Sequence, residues 1–370
     1  MGAAPVARTA PAQVTTTALS IAAAPPWTWH LPRGFPTPAV PPDNPMSDAK
    51  VALGERLFFE PRLSVSGRYS CASCHDPARS FSDGRAVAVG ATGEALPHNA
   101  LALVNVAYNV SFGWEKPQVR SLEAQMLEPL LNEHPVELGL AGREASVCAQ
   151  LVADAGYAAA FAAAFPRENR PTAGTAGTGA GAGAAGSEGT AGADGAGAVS
   201  FENLVKAIAA FERTLISGRS PFDRYVFDGE HAALSDEAKR GMALFFSPAV
   251  GCAKCHSGFN FSGNWRDAQG DTGRASFARN GTSEHPMRVP TLRNVALTAP
   301  YMHDGRFATL AAVLEHYSRL ATRARSARAE SLDPRLPSRA LTDSERAELS
   351  AFLGSLTDQA FVEHFAVRLR

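Results

Sequence analysis

Two five-residue phrases, Cys71-Ala-Ser-Cys74-His75 and Cys252-Ala-Lys-Cys255-His256, stand one in each half of the 370-residue chain and constrain it more than any other feature. A Cys-x-x-Cys-His run places two thiols where they can bond the vinyl groups of a porphyrin while the adjacent imidazole ligates iron. Zinc is the competing reading, since Cys and His are also zinc ligands, but each phrase would then need a fourth donor at suitable spacing. The expectation is therefore two covalently bound c-type haems, attached through Cys71, Cys74, Cys252 and Cys255, with His75 and His256 as iron ligands. Haem is joined to paired cysteines outside the bacterial cytoplasm, so the motifs imply an exported, periplasmic protein.

The surroundings of the motifs repeat as well. Ser47 caps a helical pattern with Val51, Leu53, Leu57 and Phe58 on one face before Cys71. Ser235 then caps Asp236-Glu237-Ala238-Lys239, and Met242, Leu244, Phe245 and Phe246 lead to Cys252. Phe81-Ser82 is echoed by Phe261-Ser262. The fold class expected is mainly α, with two cytochrome c-like haem domains in tandem. An extension over 1–45 precedes an N-terminal haem domain over 46–216 and a C-terminal one over 217–370. The helix over 201–215 closes the first domain, and further helices are expected over 144–165, 307–320 and 342–356. Residues 171–200 are almost entirely Gly, Ala, Thr and Ser, which reads as a disordered, dispensable insertion.

Residues 1–24 carry Arg8 and a short apolar run ending in Ala22-Ala23-Ala24, a weak signal-peptide pattern for which a tail or a misplaced start is the alternative. From Pro25 to Pro45 the prolines, with Trp27, Trp29 and Phe35, predict an extended arm laid across a folded surface. Lys plus Arg number 35 against 36 for Asp plus Glu, so no net field steers the chain to nucleic acid. No apolar run is long enough for a transmembrane segment. Cys148, outside both motifs, reads as a small buried apolar residue rather than a reactive thiol.

With the motifs in this order, the chain resembles the bacterial dihaem cytochrome c peroxidase and MauG family from about Asp43 to Thr357. The phrases that carry the resemblance are Leu57-Phe-Phe-Glu-Pro-Arg-Leu-Ser64, Trp114, Leu122-Glu-Ala-Gln125 with Pro129, and Pro290-Thr-Leu-Arg-Asn-Val-Ala-Leu-Thr-Ala-Pro-Tyr-Met-His-Asp-Gly305. Within the family, Leu31-Pro-Arg-Gly-Phe-Pro, Val40-Pro-Pro-Asp-Asn-Pro-Met46 and Glu133-His-Pro-Val-Glu-Leu-Gly139 are most similar to the MbnH-like dihaem enzymes.

The resemblance implies that the N-terminal haem is the peroxide site. Some family members cap it with a His after a Val-Gly pair; here Val89-Gly90 is followed by Ala91-Thr92-Gly93, so an open site is expected, with His98 a surface residue. Peroxide activation needs a proton-transferring group and polar groups to stabilise O–O cleavage. Glu137 and Gln125 match the family's pair, Pro129 is counted with them, and Glu123 and Glu133 are the fallbacks for Glu137. Trp114 matches the tryptophan between the haems. Counting without a gap from Tyr301-Met-His-Asp-Gly305, the position opposite the second proximal His is Tyr317, where ordinary peroxidases have Met and MauG has Tyr. Met302 and His316 are the competing ligands. A hard phenolate stabilises oxidised iron, whereas Met favours reduction. Asn99, Thr298 and Pro300 match a calcium site whose oxygen donors suit a hard cation.

The function so implied is reduction of hydrogen peroxide at the first haem and long-range oxidation of a secreted protein substrate, a tryptophan of an MbnP-like copper-binding partner. A surface tryptophan that relays holes in MauG is replaced by Val250, which leaves the outward route open, with Trp265 as a guess. The alternatives are a peroxidase fed by a small cytochrome or cupredoxin, and a dihaem electron carrier without chemistry of its own.

Overall fold

The computed structural model describes residues 27–166, 198–263, 277–278, 287–323 and 335–367. The expected leader, most of the expected insertion and Trp265 lie outside those residues. Among them the helices are α1 (Asp48–Phe58), α2 (Leu122–Leu131), α3 (Glu144–Val152), α4 (Ala155–Ala164), α5 (Phe201–Arg213), α6 (Pro221–Phe227), α7 (Asp236–Phe246), α8 (Leu310–Arg323), α9 (Asp343–Gly354) and α10 (Gln359–Val367). Among the described residues the strands are β1 (Phe277–Ala278) and β2 (Met287–Arg288), paired antiparallel, besides isolated bridges such as Asp76–Ser82 and Tyr301–Phe307. The fold is mainly α-helical, as the patterning predicts. No single helix among the described residues is long and apolar enough to cross a membrane.

One helix crossing is used twice. In the first half α1 starts at Ser47, whose hydroxyl accepts from Lys50 N, and α5 starts at Ser200, which accepts from Asn203 N. The two helices meet at Gly54, where an added Cβ would lie 1.9 Å from Ala207 O. Phe58 and Phe211 pack beside the crossing, tilted at 60° with ring centroids 5.3 Å apart. In the second half α7, capped by Ser235, meets α9, which opens on a Thr342/Glu345 capping box. Here Gly241 would place its Cβ 1.9 Å from Glu348 O, and Phe245 and Phe352 lie 5.1 Å apart. Only glycine permits backbones this close.

The stretch expected as one helix over 144–165 is two, because Asp154 breaks the run and caps α4 by accepting from Gly156 N and Tyr157 N. Their axes bend by 102°. Composition favoured helix throughout, but local side-chain-to-backbone bonding won at the break.

Two large apolar clusters dominate the interior, one centred on Leu57, Phe58, Phe81 and Phe211, the other on Phe245, Phe261 and Phe352, with a smaller third around Val106, Phe112 and Leu122. Helix α10 returns to the first cluster through Phe361, Val362 and Phe365. The described part of the proline-rich arm, from Trp27, forms no helix and turns twice, with Phe35 N donating to Pro32 O and Asn44 N to Pro41 O. Phe35 from this arm is buried against Tyr108 of one half and Phe259 of the other, and Tyr108 donates its hydroxyl hydrogen to Pro36 O.

Between the halves lies a buried polar seam with an exchanged pattern. Asn105 donates its amide to Ser217 O and to Asn260 Oδ1 at 3.0 Å each, while Asn294 donates to Ser80 Oγ at 2.9 Å and Ser217 Oγ at 3.1 Å. Both asparagines are left-handed (φ 58°) and fully buried. Asn260 and Ser80 each immediately precede the phenylalanine that follows a haem motif. The seam thus ties each half to the loop beneath the other's motif.

Candidate active site

Each Cys-x-x-Cys-His phrase forms a tight 3-10 turn, Cys71–Ser73 and Cys252–Lys254. His75 N donates to Cys71 O at 3.0 Å and His256 N to Cys252 O at 2.9 Å. The chain then doubles back so that Phe81, with φ 61°, and Phe261, with φ 50°, present their carbonyls to the imidazoles. His75 Nδ1 lies 3.0 Å from Phe81 O, and His256 Nδ1 lies 2.9 Å from Phe261 O. A donor bond from Nδ1 fixes the tautomer and leaves the Nε2 lone pair for a metal. Burial pushes the imidazole pKa down, for His256 to about 4, which keeps the ring neutral as a ligand requires. Burial raises the thiols, Cys74 to about 11 and Cys252 to about 12, and neither pair is joined as a disulfide. Among the described residues no three His, Cys, Asp or Glu side chains converge as a metal-ion cluster.

His75, Cys71 and Cys74 open on a cavity of about 430 Å³. Its far side is built by α2, whose Leu122, Met126 and Leu130 form the buried stripe. Gln125 and Pro129, one turn apart, line the cavity. Gln125 Oε1 is buried without a hydrogen-bond partner. The loop after α2 is pinned by Leu138 N to Pro129 O (2.9 Å) and by Leu140 N to Leu130 O (2.8 Å). Glu137 joins the lining from this loop, its carbonyl accepting from Ala91 N at 2.7 Å. Gly90 permits the approach, since a Cβ there would lie 1.9 Å from Val136 O. Burial raises the Glu137 carboxyl; Lys116 opposes the shift and Glu128 adds to it.

The fallbacks for Glu137 are placed elsewhere. Glu123 is held by Arg213 at 2.7 Å and Asn44 at 2.7 Å, in a structural network with Lys50. Glu133 is exposed and absent from the lining. His98 departs from its expected surface role: it lines the cavity, its Nδ1 is buried without a partner, and its Nε2 lies 3.7 Å from Glu115. The sequence hides this because the wall it joins includes His303 from the other half of the chain, with ring centroids 5.6 Å apart.

A second cavity, of about 240 Å³, is lined by Cys252, Cys255, His256, Met302 and Tyr317. Tyr317 projects from α8, and burial, with smaller contributions from the Cys255 and Cys252 thiols, pushes its phenol up to about 12. Of the competitors, Met302 shares the cavity, whereas His316 is absent from its lining and packs on Phe307 with ring centroids 4.9 Å apart. Val250 is fully buried, so no surface group stands at that position.

Trp114, Asn99 and Arg288 line both cavities. Trp114 Nε1 donates to Asn99 O at 2.7 Å, and His303 stands 6.4 Å from the indole on the side of the second cavity. Asn99, Thr298 and Pro300 are brought together: Asn99 Nδ2 lies 2.6 Å from Arg85 O and 3.4 Å from Pro300 O, and all three residues line the second cavity.

Two lining residues escape a sequence reading. Glu212 on α5 is buried beside the first cavity, and burial, reinforced by Glu123 and opposed by Arg213, pushes its carboxyl up to about 8. Its signal was a carboxylate inside the helix's apolar stripe, one turn after Ile208. Arg288 gave no signal, because its site is made by two segments far apart in sequence.

A family model described as di-haem cytochrome c peroxidase matches residues 48–232. The methylamine utilization protein MauG of Methylorubrum extorquens is 34% identical over 335 residues, covering 89% of this chain and 83% of that one. The cytochrome c551 peroxidase of Pseudomonas aeruginosa is 31% identical over 276 residues, covering 71% and 70%. Among solved structures, a MauG-like protein associated with microbial copper homeostasis superposes with a TM-score of 0.77 at 33% identity, covering 91% of this chain and 97% of that one.

Proposed function

Since this chain belongs to the di-haem cytochrome c peroxidase family, we propose that it uses hydrogen peroxide to oxidise a side chain of a docked, secreted protein. The coarse activity, that of a haem-dependent peroxidase, follows from the family. In this reading the two clusters are the cores of two cytochrome c-like haem domains, expected over 46–216 and 217–370, with α10 of the second stretch packed into the first core. Bound through the two motifs, the haems supply the iron that accepts peroxide and stores its oxidising equivalents.

The chain's own residues then divide the work. Glu137, a buried carboxylate at the peroxide cavity, moves a proton from one peroxide oxygen to the other. The Gln125 amide, with an unpaired oxygen in the same cavity, orients the peroxide. Two electrons and two protons convert peroxide to two waters; both come from the docked partner's side chain, which takes up an oxygen atom from water as it loses them. Trp114, in the wall common to both cavities, is the path between them.

The observation that carries the reading is Tyr317 in the second cavity with His256. A phenolate there favours oxidised iron and disfavours drawing electrons from a reduced carrier. The association of the structural neighbour with microbial copper homeostasis makes an MbnP-like copper-binding protein, and a tryptophan of it, the substrate to test. The second reading, a peroxidase fed by a small cytochrome or cupredoxin, rests on Met302, a thioether in the same cavity. Asn99, Thr298 and Pro300, on one wall of the second cavity, would hold a calcium ion through the Asn99 side-chain oxygen and backbone carbonyls, donors that suit a hard cation. The site of action is the periplasm.

The test treats the two-haem protein and a copper-binding partner with peroxide and reads the partner by mass spectrometry. Oxygen added to a partner tryptophan supports the proposal. Steady turnover of reduced cytochrome c with an unmodified partner assigns the chain to the second reading.

A further inference from the structure

Three buried arginines invite comparison. Arg293 is 1% exposed, donates to Asp223 Oδ1 and Oδ2 at 2.8 and 2.7 Å, and also reaches Phe259 O. Arg213 is 3% exposed and is held by both carboxylate oxygens of Glu123 at 2.7 Å. Arg288 is 7% exposed, yet its Nε is buried without any hydrogen-bond partner. Burial alone lowers its guanidinium to about 10, with no acidic group acting against it. A buried cation is tolerated only when an anion faces it.

The backbone of Arg288 is fixed. Its N–H donates to Trp114 O at 2.8 Å, and its Cα pairs with Phe277 across the β1–β2 register. From that position the side chain lines both cavities. Lys116, the lysine in the first cavity's lining, is already engaged by Glu128 at 2.6 Å. The anions that enter both cavities with the cofactors are the propionate carboxylates that every haem of this class carries.

We infer that Arg288 is a counter-ion shared by the two haems, its guanidinium fork pairing with one propionate on each side of the Trp114 wall. A planar fork with donors on two edges suits two carboxylates where an ammonium does not. Positive charge at the propionates stabilises the reduced form of the adjacent iron, so one residue sets the potential of both. The inference rests on the two-haem reading of the cavities and is independent of which substrate the enzyme oxidises.

The test is a potentiometric titration of the full-length two-haem protein, wild type against Arg288→Gln and Arg288→Lys, with haem stoichiometry measured on each sample. Two haems per chain in wild type upholds the cofactor reading whatever the potentials do. In Arg288→Gln both reduction equilibria shift about tenfold or more towards ferric, about 59 mV each for one electron, and Arg288→Lys, whose ammonium cannot fork to both propionates, reverses the shift at no more than one haem. In Arg288→Gln a shift at one haem only, or at neither, overturns the shared counter-ion. Arg335 also lines the second cavity, so the two haems are read separately.

Should the Gln variant not accumulate, infrared redox-difference spectra with ¹⁵N-labelled arginine decide between wild type and Arg288→Lys. Arginine bands must appear on reduction of each haem in wild type and vanish from both steps in Arg288→Lys. Bands that persist in the variant overturn the assignment.

Discussion

Replacing Gly241 with alanine tests whether the α7–α9 crossing holds the second haem site. The new Cβ would stand 1.9 Å from Glu348 O and 2.9 Å from Phe352 Cβ, whereas real Cβ contacts essentially never fall below 3.0 Å. The obstacle is a backbone carbonyl, so the helices must part by about 1 Å, and overpacking of this kind costs up to roughly 3 kcal/mol. Alanine's helix preference returns about 1 kcal/mol. The net loss of about 2 kcal/mol corresponds to a fall in Tm of roughly 4–8 °C for a unit of this size. Parting the helices also loosens the Phe245–Phe352 pair and the Phe261 loop that orients His256, so the second haem's spectrum should change before the first's. Gly354→Ala is the control, since a Cβ there meets nothing within 4 Å. The assay is thermal unfolding followed by far-ultraviolet circular dichroism and haem absorbance. If Gly241→Ala and Gly354→Ala behave alike, the close crossing does not support the site.

Further outcomes follow from the same geometry. Glu137→Gln should slow the reaction of ferric protein with peroxide by about 10²–10⁴-fold in stopped-flow. Because burial raises the Glu137 pKa, the base form is lost as pH falls through a value above that of a free glutamate, and the variant should lack this acid limb. Tyr317→Met should raise the potential of the second haem and move activity towards cytochrome c turnover; unchanged near-infrared spectra in Tyr317→Phe would remove Tyr317 as a ligand. Asp223→Asn leaves Arg293 buried without its charge partner and should cost about 3–5 kcal/mol in denaturant unfolding.

Much of the local architecture is legible in the chain. Ser47, Ser235 and Ser200 each read as helix starts or stand where one begins, because capping is decided within four residues. The two haem motifs and their following phenylalanines are equally local. Gln125, Pro129 and Glu137 reach one cavity because α2 and the loop after it are neighbours in sequence. What escapes is everything made by segments far apart: Arg288 against Trp114, Glu212 against Cys71, and His98 in a cavity wall rather than on the surface. The break at Asp154 escapes for a different reason, since alanine-rich composition reports helix content but not where one helix gives way to the next.

The exchanged amides of Asn105 and Asn294 bear on whether the two halves can part. A cut near Ser217 would strand two buried side-chain amides, each deprived of partners that only the other half provides, at roughly 1–3 kcal/mol apiece. Mutual dependence of this kind acts as a ratchet: either half can drift towards its own chemistry, but neither can leave.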